Sequence, residues 1–181
     1  MVVVSRSVHI DAPVERVFAL MADPLARSRL SPTTRPIRAE IETDGPLREG
    51  SICHFRLAAG NRILDYRTRV REFVPDRTIV AVSDSAVPFE VQIETQPEDS
   101  GARLTQTERF EATDELLREA LPRSLSSRVL SATIRLFQSI DTDAALELRG
   151  RQEEELAQRL EGEMDRWLLA IKHHLEDGGG H

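Results

Sequence analysis

The chain reads as an α+β fold in which a seven-stranded antiparallel sheet covers one face of a long closing helix. Three observations lead there. Between residues 152 and 176, Leu156, Leu160, Met164, Trp167, Leu168, Ile171 and Leu175 recur at steps of three and four, while Glu155, Arg159, Asp165, Arg166 and Lys172 fall elsewhere. One stripe of that helix therefore demands cover. Between residues 35 and 111 the period changes to two and yields six strands in a row with short connections. A β-branched stretch at residues 2–10 supplies the seventh.

In order, Val4, Val8 and Ile10 share a parity and define strand 1. Asp11-Ala12-Pro13 punctuates it, with Asp11 or Ala12 expected as the cap and Pro13 in the first turn of a helix carrying Val14, Val17, Phe18 and Met21. A second short helix, 25–30, stops at Ser31-Pro32. Ile37, Ala39 and Ile41 alternate with Arg38, Glu40 and Glu42, a strand with one wet face. Strands follow at 51–59, 62–74, 78–85, 89–96 and 102–111. They are separated by Ala59-Gly60-Asn61, Pro75-Asp76-Arg77, Val87-Pro88 and the turn at 97–101.

Helical periodicity then runs to the end. A short piece around Leu116 to Leu121 is broken at Pro122, and a broad apolar band spans residues 125–140. A helix capped at 141–143 can run through Gly150 into the closing one, although that glycine costs about 1 kcal/mol relative to alanine. Residues 113–151 are read as a helical insertion, either a lid or an association surface. The three glycines at 178–180 leave 178–181 as a disordered tail, and 1–177 as a single domain, as befits 181 residues.

A net charge of -7 argues against a protein built to grip nucleic acid. The single cysteine, Cys53, excludes an internal disulfide and a cysteine-based zinc site. No leader and no apolar run approaching the roughly 18 residues of a membrane span is visible, so the expected compartment is the cytoplasm, without membrane insertion.

The order of elements resembles the START-like, or SRPBCC, superfamily, specifically its polyketide cyclase/dehydrase and lipid-transport group. Carrying the likeness are Val8-His9-Ile10-Asp11-Ala12-Pro13-Val14-Glu15-Arg16-Val17-Phe18, Val70-Arg71-Glu72-Phe73-Val74-Pro75-Asp76-Arg77 and Gly101-Ala102-Arg103-Leu104-Thr105. The resemblance implies a helix-grip fold, in which a curved sheet wraps the last helix around a cavity for lipids, polyketides, quinones or other hydrophobic molecules. Two departures stand out: Leu30 sits where many relatives carry tryptophan, and residues 113–151 exceed the usual link.

Parity places Leu64, Tyr66, Thr68 and Val70, then Phe89, Val91 and Ile93, then Leu104, Gln106, Glu108 and Phe110 on the inner face. Most of this is ordinary packing. Gln106 and Glu108 are exceptions, turned toward the closing helix by their apolar neighbours. A carboxylate there has a raised pKa unless Arg56 or Tyr66 partners it. Tyr66 can orient a ligand oxygen or be a satisfied core residue, and Trp167 can be a packing anchor, a cavity wall, or both. The candidate ligand contacts are thus Tyr66, Phe89, Val91, Gln106, Glu108, Met164 and Trp167.

Cys53 and His54 face opposite ways, His173 and His174 cannot converge, and no phosphate, dinucleotide or metalloprotease motif is present. No catalytic residue, metal or cofactor is nominated. Arg67, Arg69 and Arg71 form an outer, solvated ladder with neighbouring glutamates. The leading expectation is a non-enzymatic binder or carrier of a small hydrophobic molecule. The alternatives are a cyclase or dehydratase using Glu108 as acid or base with Tyr66 positioning an oxygen, and an interaction module, a homodimer included, through residues 125–140.

Overall fold

The computed structural model describes residues 1–83, 88–111 and 142–178. In chain order the elements are β1 (Val2–Ile10), α1 (Val14–Ala22), α2 (Pro24–Arg29), β2 (Arg35–Ile41), β3 (Ile52–Ala59), β4 (Arg62–Val74), β5 (Thr78–Ser83), β6 (Phe89–Glu98), β7 (Gly101–Phe110) and α3 (Thr142–Asp177). The strands form one antiparallel sheet in the order β1-β7-β6-β5-β4-β3-β2. The meander from β2 to β7 is completed by β1, which returns to pair with β7 and brings α1 and α2 across the sheet's inner face.

Turn chemistry sets the registers. Asp76 and Asp99 take φ of 58° and 49°, and Gly60 takes 59°, left-handed conformations that aspartate tolerates and glycine adopts freely. Gly101 has a different reason to be glycine. A Cβ there would stand 2.1 Å from the Ile10 carbonyl oxygen, so any side chain would push β7 off the end of β1.

The stripe of α3 is covered as its spacing demands. Leu156, Met164, Leu168, Ile171 and Leu175 are each 5 % exposed or less, each burial contributing about 1.5–3 kcal/mol. Polar contacts hold the helix along β1. Arg6 pairs with Glu161 and Asp165, the Lys172 ammonium donates to the His9 carbonyl at 2.8 Å, and the Asp11 amide donates to Glu176 at 2.8 Å. Among the described residues no helix is long and apolar enough to cross a membrane.

Several expectations are corrected. α1 is capped by Pro13 itself, without a side-chain bond, because Asp11 is engaged with Glu176 through its amide and with His9 through its carboxylate. Asp23 caps α2, accepting from the Leu25 and Ala26 amides at 2.9 Å. Ile37, expected on the covered face, is 56 % exposed because a bulge between Pro36 and Arg38 turns it outward. A second bulge between Val70 and Glu72 brings Phe73 against Phe18, ring centroids 5.5 Å apart. Leu64 shares a face with Tyr66 but lies at the β3–β4 hairpin end and is 41 % exposed.

α3 begins at Thr142 and runs through Gly150, so residues 142–151, assigned above to an insertion, continue the closing helix. The rest of that insertion, with the 125–140 band and its lid, dimer and partner readings, lies outside the described residues, as does most of the glycine tail.

Gly101→Ala should destabilise the fold by about 1–3 kcal/mol, the usual cost of overpacking, read from the midpoint of urea unfolding; an unchanged midpoint would show that β1 and β7 can separate freely there. His9, hydrogen-bonded to Glu98 and Asp11, has its pKa raised by those two bonds. Its contribution to stability is therefore fully present below its ordinary value of about 6.5 and lost as pH rises through the raised value. His9→Asn should remove that part of the pH dependence of thermal unfolding.

Candidate functional site

Where α2 and the loop after it cross the sheet, the core does not fill. A cavity of about 180 Å³ remains, walled by Phe55 and Leu57 from β3, Tyr66 and Thr68 from β4, Phe89, Val91 and Ile93 from β6, and Gln106 and Glu108 from β7. Arg27 and Ser28 of α2, Ser31 and Thr34 of the following loop, and Trp167 of α3 complete the wall. Six of the seven residues expected from the sequence thus come together. Met164, the seventh, is packed in the core, 5 % exposed, and does not line the cavity.

An aromatic ladder makes one wall. Phe55 stacks on Tyr66 with centroids 5.2 Å apart, Tyr66 meets Phe89 edge-on at 5.4 Å, and Phe89 lies 5.9 Å from Phe110. Trp167 reaches α2 rather than the sheet, its indole N–H donating to the Arg27 carbonyl at 3.3 Å. The roof is therefore shared between α2 and α3, and α3 contributes less of it than the closing-helix picture implied.

Arg27 is the cation that sequence reasoning missed. Its guanidinium stands over the Phe55 ring, 5.4 Å from the centroid, and donates to the Met21 carbonyl at 3.0 Å. Burial pushes its pKa down, against the pull of Cys53, Tyr66, Asp23 and Glu108. The two cations and donors offered above for Glu108 included Arg56, which instead faces outward, 3.7 Å from Asp65. A sequence signal existed but pointed the wrong way: α2 buries Ser28 and leaves Leu25 36 % exposed, the reverse of an amphipathic pattern.

Glu108 has its pKa raised by burial, opposed by the Gln106 hydrogen bond and by Arg27 and reinforced by Glu163. The Gln106 amide nitrogen lies 2.6 Å from the Glu108 carboxyl, and the amide oxygen, on a residue 1 % exposed, has no partner among the described residues. A protonated Glu108 makes the same contact with the amide turned over, its O–H donating to the amide oxygen. As the amide stands in the structure, that oxygen is buried out of the reach of solvent. The Tyr66 phenol is pushed up to about 12, chiefly by burial, and its hydroxyl makes no hydrogen bond among the described residues.

On the outer face Arg67, Arg69 and Arg71 are exposed, and of the three the ion pair to a glutamate is made by Arg67. Arg67 forks onto Glu42 with two bonds of 2.9 Å. His54 turns away from Cys53 and bonds Asp65 at 2.7 Å. Among the described residues no cluster of His, Cys, Asp and Glu could hold a metal ion.

Because Tyr66 is the chain's one tyrosine, ultraviolet difference titration reads it alone. Its ionisation should begin well above the free phenol's value of about 10; a midpoint near that value would mean that water reaches the ring freely.

Comparison with solved structures places this geometry. The solution structure of the Aha1 dimer from Colwellia psychrerythraea has a TM-score of 0.58 at 13 % identity, covering 99 % of this chain and 100 % of that one. The polyketide-cyclase-like protein Cgl2372 from Corynebacterium glutamicum has 0.54 at 18 %, covering 99 % and 96 %. The crystal structure of Ara h 8.0201 has 0.58 at 9 %, covering 96 % of each. At these identities the likeness is one of fold, the helix-grip arrangement. A search of curated protein sequences returns no match. The family described as polyketide cyclase / dehydrase and lipid transport matches residues 1–137, and the chain, with its curved seven-stranded sheet and closing helix, belongs to it.

Proposed function

We propose that the protein binds a small, largely apolar molecule in the cavity between the sheet, α2 and α3. The observation that carries this reading is the wall itself: aromatic and aliphatic side chains from three strands and Trp167, with a few convergent polar groups among them, the composition of a ligand site. Family membership supports the same class of function.

Volume narrows the size. Cavities of about 150 Å³ accept benzene, whereas drug-sized ligands occupy roughly 300–1,000 Å³. At about 180 Å³ the site fits one ring or the end of a longer chain. Tyr66, Gln106 and Glu108 are the polar contacts proposed for it, with Phe89, Val91 and Trp167 as apolar ones.

A second reading, an acid-catalysed cyclisation or dehydration, is favoured by one feature: a carboxyl whose pKa is raised by burial shares the cavity with a phenol that makes no hydrogen bond among the described residues. Glu108 would then donate a proton to a substrate oxygen that Tyr66 orients.

Trp167, the only tryptophan, reports occupancy. One-ring aromatic probes should quench its fluorescence saturably, and organic extraction of the purified protein should release a co-purifying small molecule. Val91→Phe, which fills the space, should weaken probe binding about tenfold or more while the fold persists. Absence of both quenching and any extracted molecule would end the binding proposal. Under the catalytic reading, Glu108→Gln should abolish turnover of a polyketone with its binding intact; turnover surviving that substitution would remove Glu108 from the chemistry.

A further inference from the structure

The geometry points to an organic acid as the occupant: a ring-sized apolar body carrying one anionic group, held by the Arg27 guanidinium. This rests on the reading that the cavity takes a small molecule, and adds which kind.

Arg27 presents five N–H donors on a rigid fork. Among the described residues its side chain makes one hydrogen bond, to Met21, and the only further support is the Phe55 face. No carboxylate among them lies within ion-pairing distance, although such pairs are plentiful on the outer surface, where Arg67, Arg103 and Arg109 each have one. The cation at the cavity is thus left without the partner that exposed arginines obtain. A half-buried guanidinium without a counter-charge is costly to the fold, and an incoming anion removes that cost.

The carboxylates of Asp23, Glu163 and Glu108 are otherwise engaged. Asp23 accepts from the first amides of α2, Glu163 pairs with Arg159 at 3.3 Å, and Glu108 is bound to Gln106. Burial raises the pKa of Glu108 against the pull of Gln106 and Arg27, and its carboxyl forms no ion pair with Arg27. The Tyr66 hydroxyl, which makes no hydrogen bond among the described residues, adds a neutral polar contact on the cavity wall. A largely apolar wall with one under-used cation and a phenolic hydroxyl matches a carboxylate, or an enolate or phenolate, better than a neutral hydrocarbon or an amine.

The test titrates Trp167 fluorescence with benzoate, benzamide and benzylamine, three one-ring probes of similar size and different charge. Benzoate should bind about tenfold or more tightly than benzamide, the discrimination expected of a charge-assisted hydrogen bond, with benzylamine weakest. Arg27→Met should bring benzoate down to the level of benzamide, and Arg27→Lys should restore part of the difference. Equal affinities, or a preference for the amide or the amine, would overturn the anion assignment and leave the binding proposal standing. If none of the three binds, the cavity reading falls and takes this one with it. The wild-type ranking decides the matter even if Arg27→Met does not fold.

Discussion

The structure depends on covering the apolar stripe of α3. A helix cannot leave Met164, Leu168 and Ile171 in water, and a single curved sheet supplies a surface large enough to hide them. That surface exists because β1 pairs with β7 at one edge of the sheet while the chain crosses through α1 and α2 to β2 at the other. The same strand then anchors the helix it helps to cover, through Arg6, the His9 carbonyl and the Asp11 amide. Gly101 is the point where this closure is tightest, since the Ile10 carbonyl approaches too near for any side chain.

The crossover also opens the cavity. α2 lies against β2, and Trp167 docks on its carboxy-terminal carbonyl instead of filling the space beneath. A two-layer core needs complementary apolar surfaces, but α2 is six residues long and turns Arg27 and Ser28 inward. Those side chains cannot interdigitate with Phe55, Tyr66 and Val91 as aliphatic ones would, so room is left. Protein interiors are otherwise close-packed and their polar groups paired. A site that keeps space and, among the described residues, an amide oxygen and a phenol without hydrogen-bond partners and an under-used cation departs from both habits together, and that coincidence supports the binding proposal.

Periodicity alone was enough for the parts of the fold where one face is wet and the other dry. The stripe from Leu156 to Leu175, the alternation along β6 and β7, and the turn residues at Gly60, Asp76 and Asp99 specify elements locally, because each signal lies within a few residues of the structure it produces. The inward aim of Tyr66, Phe89, Val91, Gln106 and Glu108 follows from the same alternation. Ile37 and Phe73 escaped it because a bulge shifts side-chain parity, and a bulge is set by pairing between strands rather than by the strand's own residues.

What the sequence by itself determined is the order of elements, the covered face of each long one and most of the side chains that meet over the sheet, since these depend on local pattern and on the rule that apolar faces are buried. Only the tertiary structure decided that α2 turns an arginine inward, that Trp167 binds to α2, that Met164 packs in the core and that the cavity is ring-sized. These outcomes turn on how layers distant in the chain fit together in volume and charge, and no spacing within one segment encodes that fit.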